Sequence, residues 1–257
     1  MEDKNGKSIK IFLILSFTLP LISLILIKFI PFFQKGIPYF VLYGFEAITP
    51  SISALLVICI LYGKKGTLSF LKKSYVENKK VKYILLAFLL PLIIGLFTYI
   101  LCVIFIDLPI LNINVDTNEI IVLLWALVAE ELGWRGFLQE NLNNKLDKKV
   151  IPLIIGITWS LWHYHFFLLE TISAPIILFT ISCIIDSYIY YGLTTKSEQN
   201  IISASIFHFM GNLLFSVLLI YPNYYNGNTL PYIFYIISSF IVMICFVKCE
   251  SFNKRER

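Results

Sequence analysis

The side chains with chemistry to offer fall in three short stretches. In the first, Glu130, Glu131 and Arg135 lie within six positions of one another, inside a run that is otherwise apolar. An ionised side chain near the centre of a bilayer costs at least ~2.5–3.5 kcal/mol on insertion scales, so three together need partners. Glu131 and Arg135 stand one helical turn apart and can pair. Glu130 is rotated about 100° from its neighbour on a helix and is left for other work. Gly133 and Gly136 allow a neighbouring helix to come close. The second stretch puts Trp159 and His163 on one helical face, with His165 turned about 200° from His163, so the two imidazoles are not expected in one site. In the third, His208 and Asn212 share a face. A carboxylate with an imidazole can hold a water and take its proton, and an imidazole with an amide can donate to a developing oxyanion. Together these are the parts of a hydrolytic site. Each also has a plainer use: Glu131–Arg135 as a buried ion pair, His163 as a hydrogen-bonded packing residue, and His208 with Asn212 as polar glue between helices.

Positioning such groups falls to membrane helices. The chain has 257 residues, 58% hydrophobic and only 14% charged, more apolar than a soluble domain of that length. Its apolar runs recur at about twenty residues, enough to cross a bilayer. The expected fold is an all-α, polytopic membrane helix bundle in one domain, residues 1–257, with about eight transmembrane helices near 9–33, 39–62, 83–106, 119–139, 150–169, 172–192, 200–220 and 231–248. Lys4, Lys7 and Lys10 precede a run too long for a cleaved leader and without a small-residue cleavage site, so it reads as a retained first span. The terminal Lys254-Arg255-Glu256-Arg257 holds no prenylation box. Pro20, Pro50 and Pro91 are expected to kink their helices.

Charge in the connections alternates. Lys4, Lys7, Lys10, seven lysines between positions 64 and 82, Lys145, Lys148, Lys149, Lys196, Lys248, Lys254, Arg255 and Arg257 flank one side, against Lys35 on the other. This bias predicts that both termini are cytoplasmic and that the span number is even. The basic loops also suit anionic lipid. The net charge of +5 does not indicate nucleic-acid binding, because no aromatic stripe accompanies the basic residues. Segment 63–82, with Leu68, Phe70 and Leu71 among its lysines, fits either an amphipathic surface helix or a solvated loop. Five cysteines, Cys59, Cys102, Cys183, Cys245 and Cys249, lie in or beside apolar runs without metal-type spacing and read as packing residues.

Depth joins the three stretches. At the helical rise, Glu130 lies roughly 14 Å from the cytoplasmic end of its span, His163 about 20 Å in, and His208 and Asn212 about 12–18 Å in. All four reach a common middle band. Glu46 and Asp186 are further intramembrane acids that could line the same cavity or pair with Arg135.

With these motifs in order, the chain resembles the CAAX protease and bacteriocin-processing (CPBP, or Abi) family of intramembrane glutamic endopeptidases. The first family motif, E-E-x-x-x-R, matches Glu130-Glu131 to Arg135, extended by Gly136-Phe137-Leu138. The second, an aromatic followed by x-x-x-H, matches Trp159 to His163. The third, H-x-x-x-N, matches His208 to Asn212. The matched core is about 119–215. His165 departs from the pattern, since bacterial members often carry proline there, and a local change of helix geometry is expected at that point. The resemblance implies that Glu130 and His163 activate a water, that His208 and Asn212 form the oxyanion hole, and that Glu131, Arg135 and Trp159 support them. It implies no metal and no other cofactor, and a peptide or small protein as substrate. The Ile-, Lys- and Asn-rich composition suggests an AT-rich bacterial genome and a plasma membrane location, which favours peptide maturation or self-immunity over processing of prenylated proteins.

Rival chemistries lack their motifs: there is no H-E-x-x-H helix, no G-x-S-x-G elbow and no G-x-G-D. Three alternatives remain at this level. Glu130, His163 and His208 are legitimate zinc ligands, as in a zinc-dependent CAAX-type endopeptidase. A non-catalytic immunity or scaffold protein could keep the fold. Proton-coupled transport could use the same acids and histidines, although no paired repeats with broken helices are present.

Overall fold

The structure, a computed structural model, describes residues 6–106, 111–112, 117–143 and 145–252. Among them it contains helices and no strands: α1 (Lys7–Phe29), α2 (Gly36–Tyr75), α3 (Val81–Ile106), α4 (Thr117–Ala129), a π-helical segment (Leu132–Gln139), α5 (Glu140–Asn143), α6 (Ile151–Trp162), α7 (Tyr164–Leu168), α8 (Ile176–Lys196), α9 (Ile202–Leu218) and α10 (Leu230–Phe252). The protein is an all-α polytopic membrane bundle. Helices prevail because in lipid every backbone amide and carbonyl must find its partner within the segment.

Seven described segments are long and apolar enough to cross a bilayer. The expected fourth span, 119–139, is not one of them. It breaks after Ala129, and the chain resumes as a π-helix at Leu132. Two forces explain the break. The carboxylates of Glu130 and Glu131 are held by side chains from α6 and α9. Gly133 is pressed against α2 so closely that a Cβ there would stand 2.5 Å from the Pro50 carbonyl carbon. At Gly136 the same Cβ would meet nothing nearer than 3.4 Å, so the close approach expected of both glycines holds only at Gly133.

α2 is interrupted at Gly63, next to the expected end of the second span at 62, and Pro50 lies inside the helix. Gly63 has φ 63° and ψ −170°, outside the helical region and open to glycine without a steric cost. Beyond it, residues 64–75 form a helical arm. Phe70 and Ser74 of this arm are buried while Leu68 is exposed, and the Ser74 carbonyl accepts the Ile201 amide at 2.8 Å. The lysine-rich segment is therefore an amphipathic helix docked on the bundle rather than a loop.

The lysine-rich end is tied together by Lys73–Glu140, by Lys80–Glu198 at 2.8 Å, and by the Asn200 amide on the Glu77 carbonyl at 2.6 Å. At the opposite end Ser173 donates to Asn223 at 2.6 Å and the Trp125 indole donates to the Gly44 carbonyl at 2.9 Å. Since α1 ends at Phe29, earlier than expected, Lys28 joins Lys35 at this second end. Lys4, Lys254, Arg255 and Arg257 lie outside the described residues.

Behind the break stands an aromatic wall. Trp134 of the π-helical segment packs edge-on to Phe12 of α1 at 5.5 Å and to Trp162 of α6 at 5.8 Å. The Trp162 indole donates to the Ser16 carbonyl at 3.0 Å, fixing α6 to α1. Cys102 and Cys183 are buried as packing residues, whereas Cys59 and Cys245 are exposed on the bundle surface, and the side chain of Cys249 is outside the described set.

Candidate active site

The break after Ala129 gives adjacent glutamates different surroundings. Glu131 and Arg135, both within 1% of complete burial, pair at 3.0 Å. The guanidinium also lies over the rings of Tyr190, at 3.8 Å from its centroid, and Trp159, at 4.6 Å. Such a cation–aromatic contact is worth about 2 kcal/mol when desolvated. Glu131 Oε1 accepts a second hydrogen bond from Nδ1 of His208 at 2.8 Å. Its other oxygen is buried without a partner.

Glu130 turns instead to a cavity of about 840 Å³ lined by residues of α2, α3, α4, α6, α7, α8, α9 and α10. That volume lies within the roughly 300–1,000 Å³ typical of binding pockets. The Trp159 indole donates to Glu130 Oε2 at 2.6 Å, and the His208 Nε2 stands 3.9 Å from Oε1. His208 thus reaches both glutamates, one through each ring nitrogen. The rings of His163 and His208 lie 5.4 Å and 5.9 Å from that of Trp159.

His163 is where α6 stops. With φ −69° and ψ 3° it caps α6 and begins the short α7, so the change of geometry expected next to His165 falls at the histidine itself. Its Nδ1 lies 2.7 Å from the Trp159 carbonyl, an acceptor, so Nδ1 carries the proton and Nε2 is left with its lone pair. Asn212 lines the same cavity one turn beyond His208. Glu130, His163, His208 and Asn212 therefore share one cavity wall, with Trp159 between them. Among the described residues no three His, Cys, Asp or Glu side chains are arranged to hold a metal ion.

The two remaining acids part company. Asp186 lines the cavity and accepts the Tyr235 hydroxyl at 2.8 Å. Glu46 is wholly buried away from it and pairs with His165 at 3.1 Å. The carboxylate that holds Arg135 is that of Glu131. Tyr190, which covers Arg135 and meets His208 edge-on at a centroid distance of 6.2 Å, was not expected. Its signal was its place one helical turn after Asp186, on the same face of α8.

Residues 118–214 match the family model described as "Type II CAAX prenyl endopeptidase Rce1-like". A "CAAX prenyl protease 2" of Methanococcus maripaludis is 33% identical over 100 residues, which is 35% of this chain and 37% of that protein. A "Lysostaphin resistance protein A" of Staphylococcus haemolyticus is 33% identical over 133 residues, 49% of this chain and 36% of that protein. These matches support a CPBP-family assignment for residues 118–214. The aligned region spans little more than a third of each curated relative. The matched segment begins at the start of α4 and ends in α9, so it contains all three motifs and the break that holds the two glutamates.

Proposed function

We propose that this protein is an intramembrane endopeptidase of the CPBP type that uses Glu130 as a metal-independent general base. The observation that carries this reading is the Glu130 carboxylate on the cavity wall, oriented by the Trp159 indole at 2.6 Å and faced by His208 Nε2 at 3.9 Å. In the proposed cycle Glu130, with the free Nε2 of His163, takes a proton from water as the oxygen bonds to the scissile carbonyl carbon. The oxyanion accepts hydrogen bonds from the Asn212 amide and from His208. Because Nδ1 of His208 is engaged by Glu131, that ring donates from Nε2 only when it carries both protons. Breakage of the C–N bond returns the proton to the leaving amine. Glu131, Arg135 and Tyr190 hold His208 in place.

Replacing Glu130 by Gln keeps its shape and removes its basicity. Cleavage of a peptide substrate by Glu130→Gln should fall by about 10²–10⁴ in rate, while its melting profile in detergent stays that of the parent. Chelators should leave the parent's rate unchanged. Normal cleavage by Glu130→Gln would refute the assignment; loss of cleavage on chelation would favour a zinc-dependent mechanism instead.

For physiological role we propose maturation of a short peptide, or self-immunity, in a bacterial plasma membrane with both termini cytoplasmic. The match to a protein named for lysostaphin resistance, the longer of the two, supports a protective role. Glu130→Gln separates the versions: protection that survives it is non-catalytic.

A further inference from the structure

Resting on the peptidase reading, we infer that the substrate reaches Glu130 from the extracytoplasmic side, so that the cleaved segment is an apolar stretch of a peptide already exported or inserted in the membrane. The cavity shows this by which residues surround it. Its wall runs from Glu130 and His208 at mid-depth to Ile37 and Phe40 at the start of α2, Glu119 at the start of α4, Thr171 between α7 and α8, and Tyr221 after α9. These come from four separate connections or helix starts, all at the end of the bundle opposite the docked arm. Among the described residues, none from 63–82, 140–150 or 196–201, which make up much of the lysine-rich end, takes part in the wall. Among the described residues that end carries fourteen lysines, while only Lys28 and Lys35 stand at the mouth end. Positive charge of this asymmetry is retained on the cytoplasmic side.

The floor of the cavity closes it from the cytoplasm. Trp134 and Phe137 are almost wholly buried on that side, and Glu131, paired with Arg135, is bonded to His208 of α9 at 2.8 Å. At the rim Ile37, Val41 and Ile121 are 79%, 63% and 59% exposed, an apolar margin suited to the outer leaflet. A peptide entering here lies partly in lipid and meets an apolar wall, whereas a cytosolic chain end would have to cross the closed floor. The step that must precede this reaction is therefore transport or membrane insertion of the peptide.

The test reads access without needing catalysis. In a background with alanine at Cys59, Cys102, Cys183, Cys245 and Cys249, single cysteines are placed at Gly211, where a Cβ meets nothing within 4 Å, and at the cavity residue Ser216. A charged, membrane-impermeant methanethiosulfonate sulfonate is applied to intact cells and to inverted membrane vesicles. Thr171→Cys and Lys79→Cys, exposed at opposite ends, report which side each preparation presents. Modification of Gly211→Cys at least tenfold faster from outside, in step with Thr171→Cys, is the expected result. Modification at an equal or faster rate from the cytoplasmic side, or failure of both Gly211→Cys and Ser216→Cys to react from outside, would overturn the inference. Because labelling needs no turnover, a protein that labels as expected yet cleaves nothing counts against the proposed activity and leaves the side of access standing.

Discussion

The Glu131–Arg135 pair lends itself to a double-mutant cycle. Both side chains are buried to within about 1% of completely, and each has few other partners. In Arg135→Met, Glu131 keeps only the His208 hydrogen bond, and its second oxygen is already without a partner. In Glu131→Gln, the guanidinium loses its counter-charge and keeps a neutral amide oxygen, a Ser187 hydroxyl at 3.5 Å and the two aromatic faces. Removing one member of a buried pair typically costs about 3–5 kcal/mol, because the other charge remains without compensation. The cation–aromatic contacts offset about 2 kcal/mol of this for Glu131→Gln only, so Arg135→Met should be the more damaging. The double variant Glu131→Gln/Arg135→Met buries no lone charge. Its loss should fall short of the sum of the single losses by at least about 2 kcal/mol, within the range of coupling between contacting residues. Equilibrium unfolding in a fixed detergent micelle measures all four corners. Additive losses, or single losses under about 1 kcal/mol, would show that the pair is hydrated rather than dry, and the reasoning from burial would fail.

Three further perturbations act at separate places. Gly133→Ala should destabilise the fold by about 1–3 kcal/mol through overpacking against the Pro50 backbone, whereas Gly136→Ala, with its nearest neighbour at 3.4 Å, should cost distinctly less in the same unfolding assay. Tyr235→Phe removes the hydroxyl that Asp186 accepts and should cost about 1–3 kcal/mol for the stranded carboxylate; the double variant Tyr235→Phe/Asp186→Leu should recover part of that loss. Glu46→Leu breaks the pair with His165 behind the cavity, so it should lower the unfolding free energy while the turnover number on a peptide substrate stays within about threefold of the parent, about 0.65 kcal/mol at the barrier.

The eight stretches of apolar sequence were enough to place the helices, since bilayer thickness leaves little choice of length. The fourth is the exception, because nothing local announces a π-helix after Ala129. Its register is set by Pro50 on one side and by partners on α6 and α9 on the other, contacts remote in sequence. The pairing of Glu131 with Arg135 was legible from spacing alone. The second bond of Glu131, to His208, was not, because it depends on how α9 crosses the break. Separate roles for the two glutamates followed from a regular helix's 100° step; in the structure their surroundings do differ, but one imidazole reaches both. The end of the second span at 62 is legible from hydropathy and the lysines that follow, and Gly63, whose φ of 63° cannot belong to a helix, marks it in the structure, while the helix continues through Pro50.

The position of His208 also explains why a dry ion pair lies directly beneath the cavity in which the proposed reaction takes place. An imidazole whose Nδ1 were free could rotate about its side-chain bonds and present either nitrogen to the cavity. The 2.8 Å bond to Glu131 fixes the ring, and Arg135 at 3.0 Å fixes the carboxylate that does so. Two charged groups outside the cavity lining thereby set which atom of His208 faces Glu130. The cost of keeping them out of water is offset locally by the aromatic faces of Tyr190 and Trp159, and Trp159 uses its remaining polar atom to orient Glu130. Removing Arg135 should therefore damage catalysis even though its side chain points away from the cavity. A rate that falls in Arg135→Met without a matching rise in KM would distinguish this loss of positioning from loss of substrate binding.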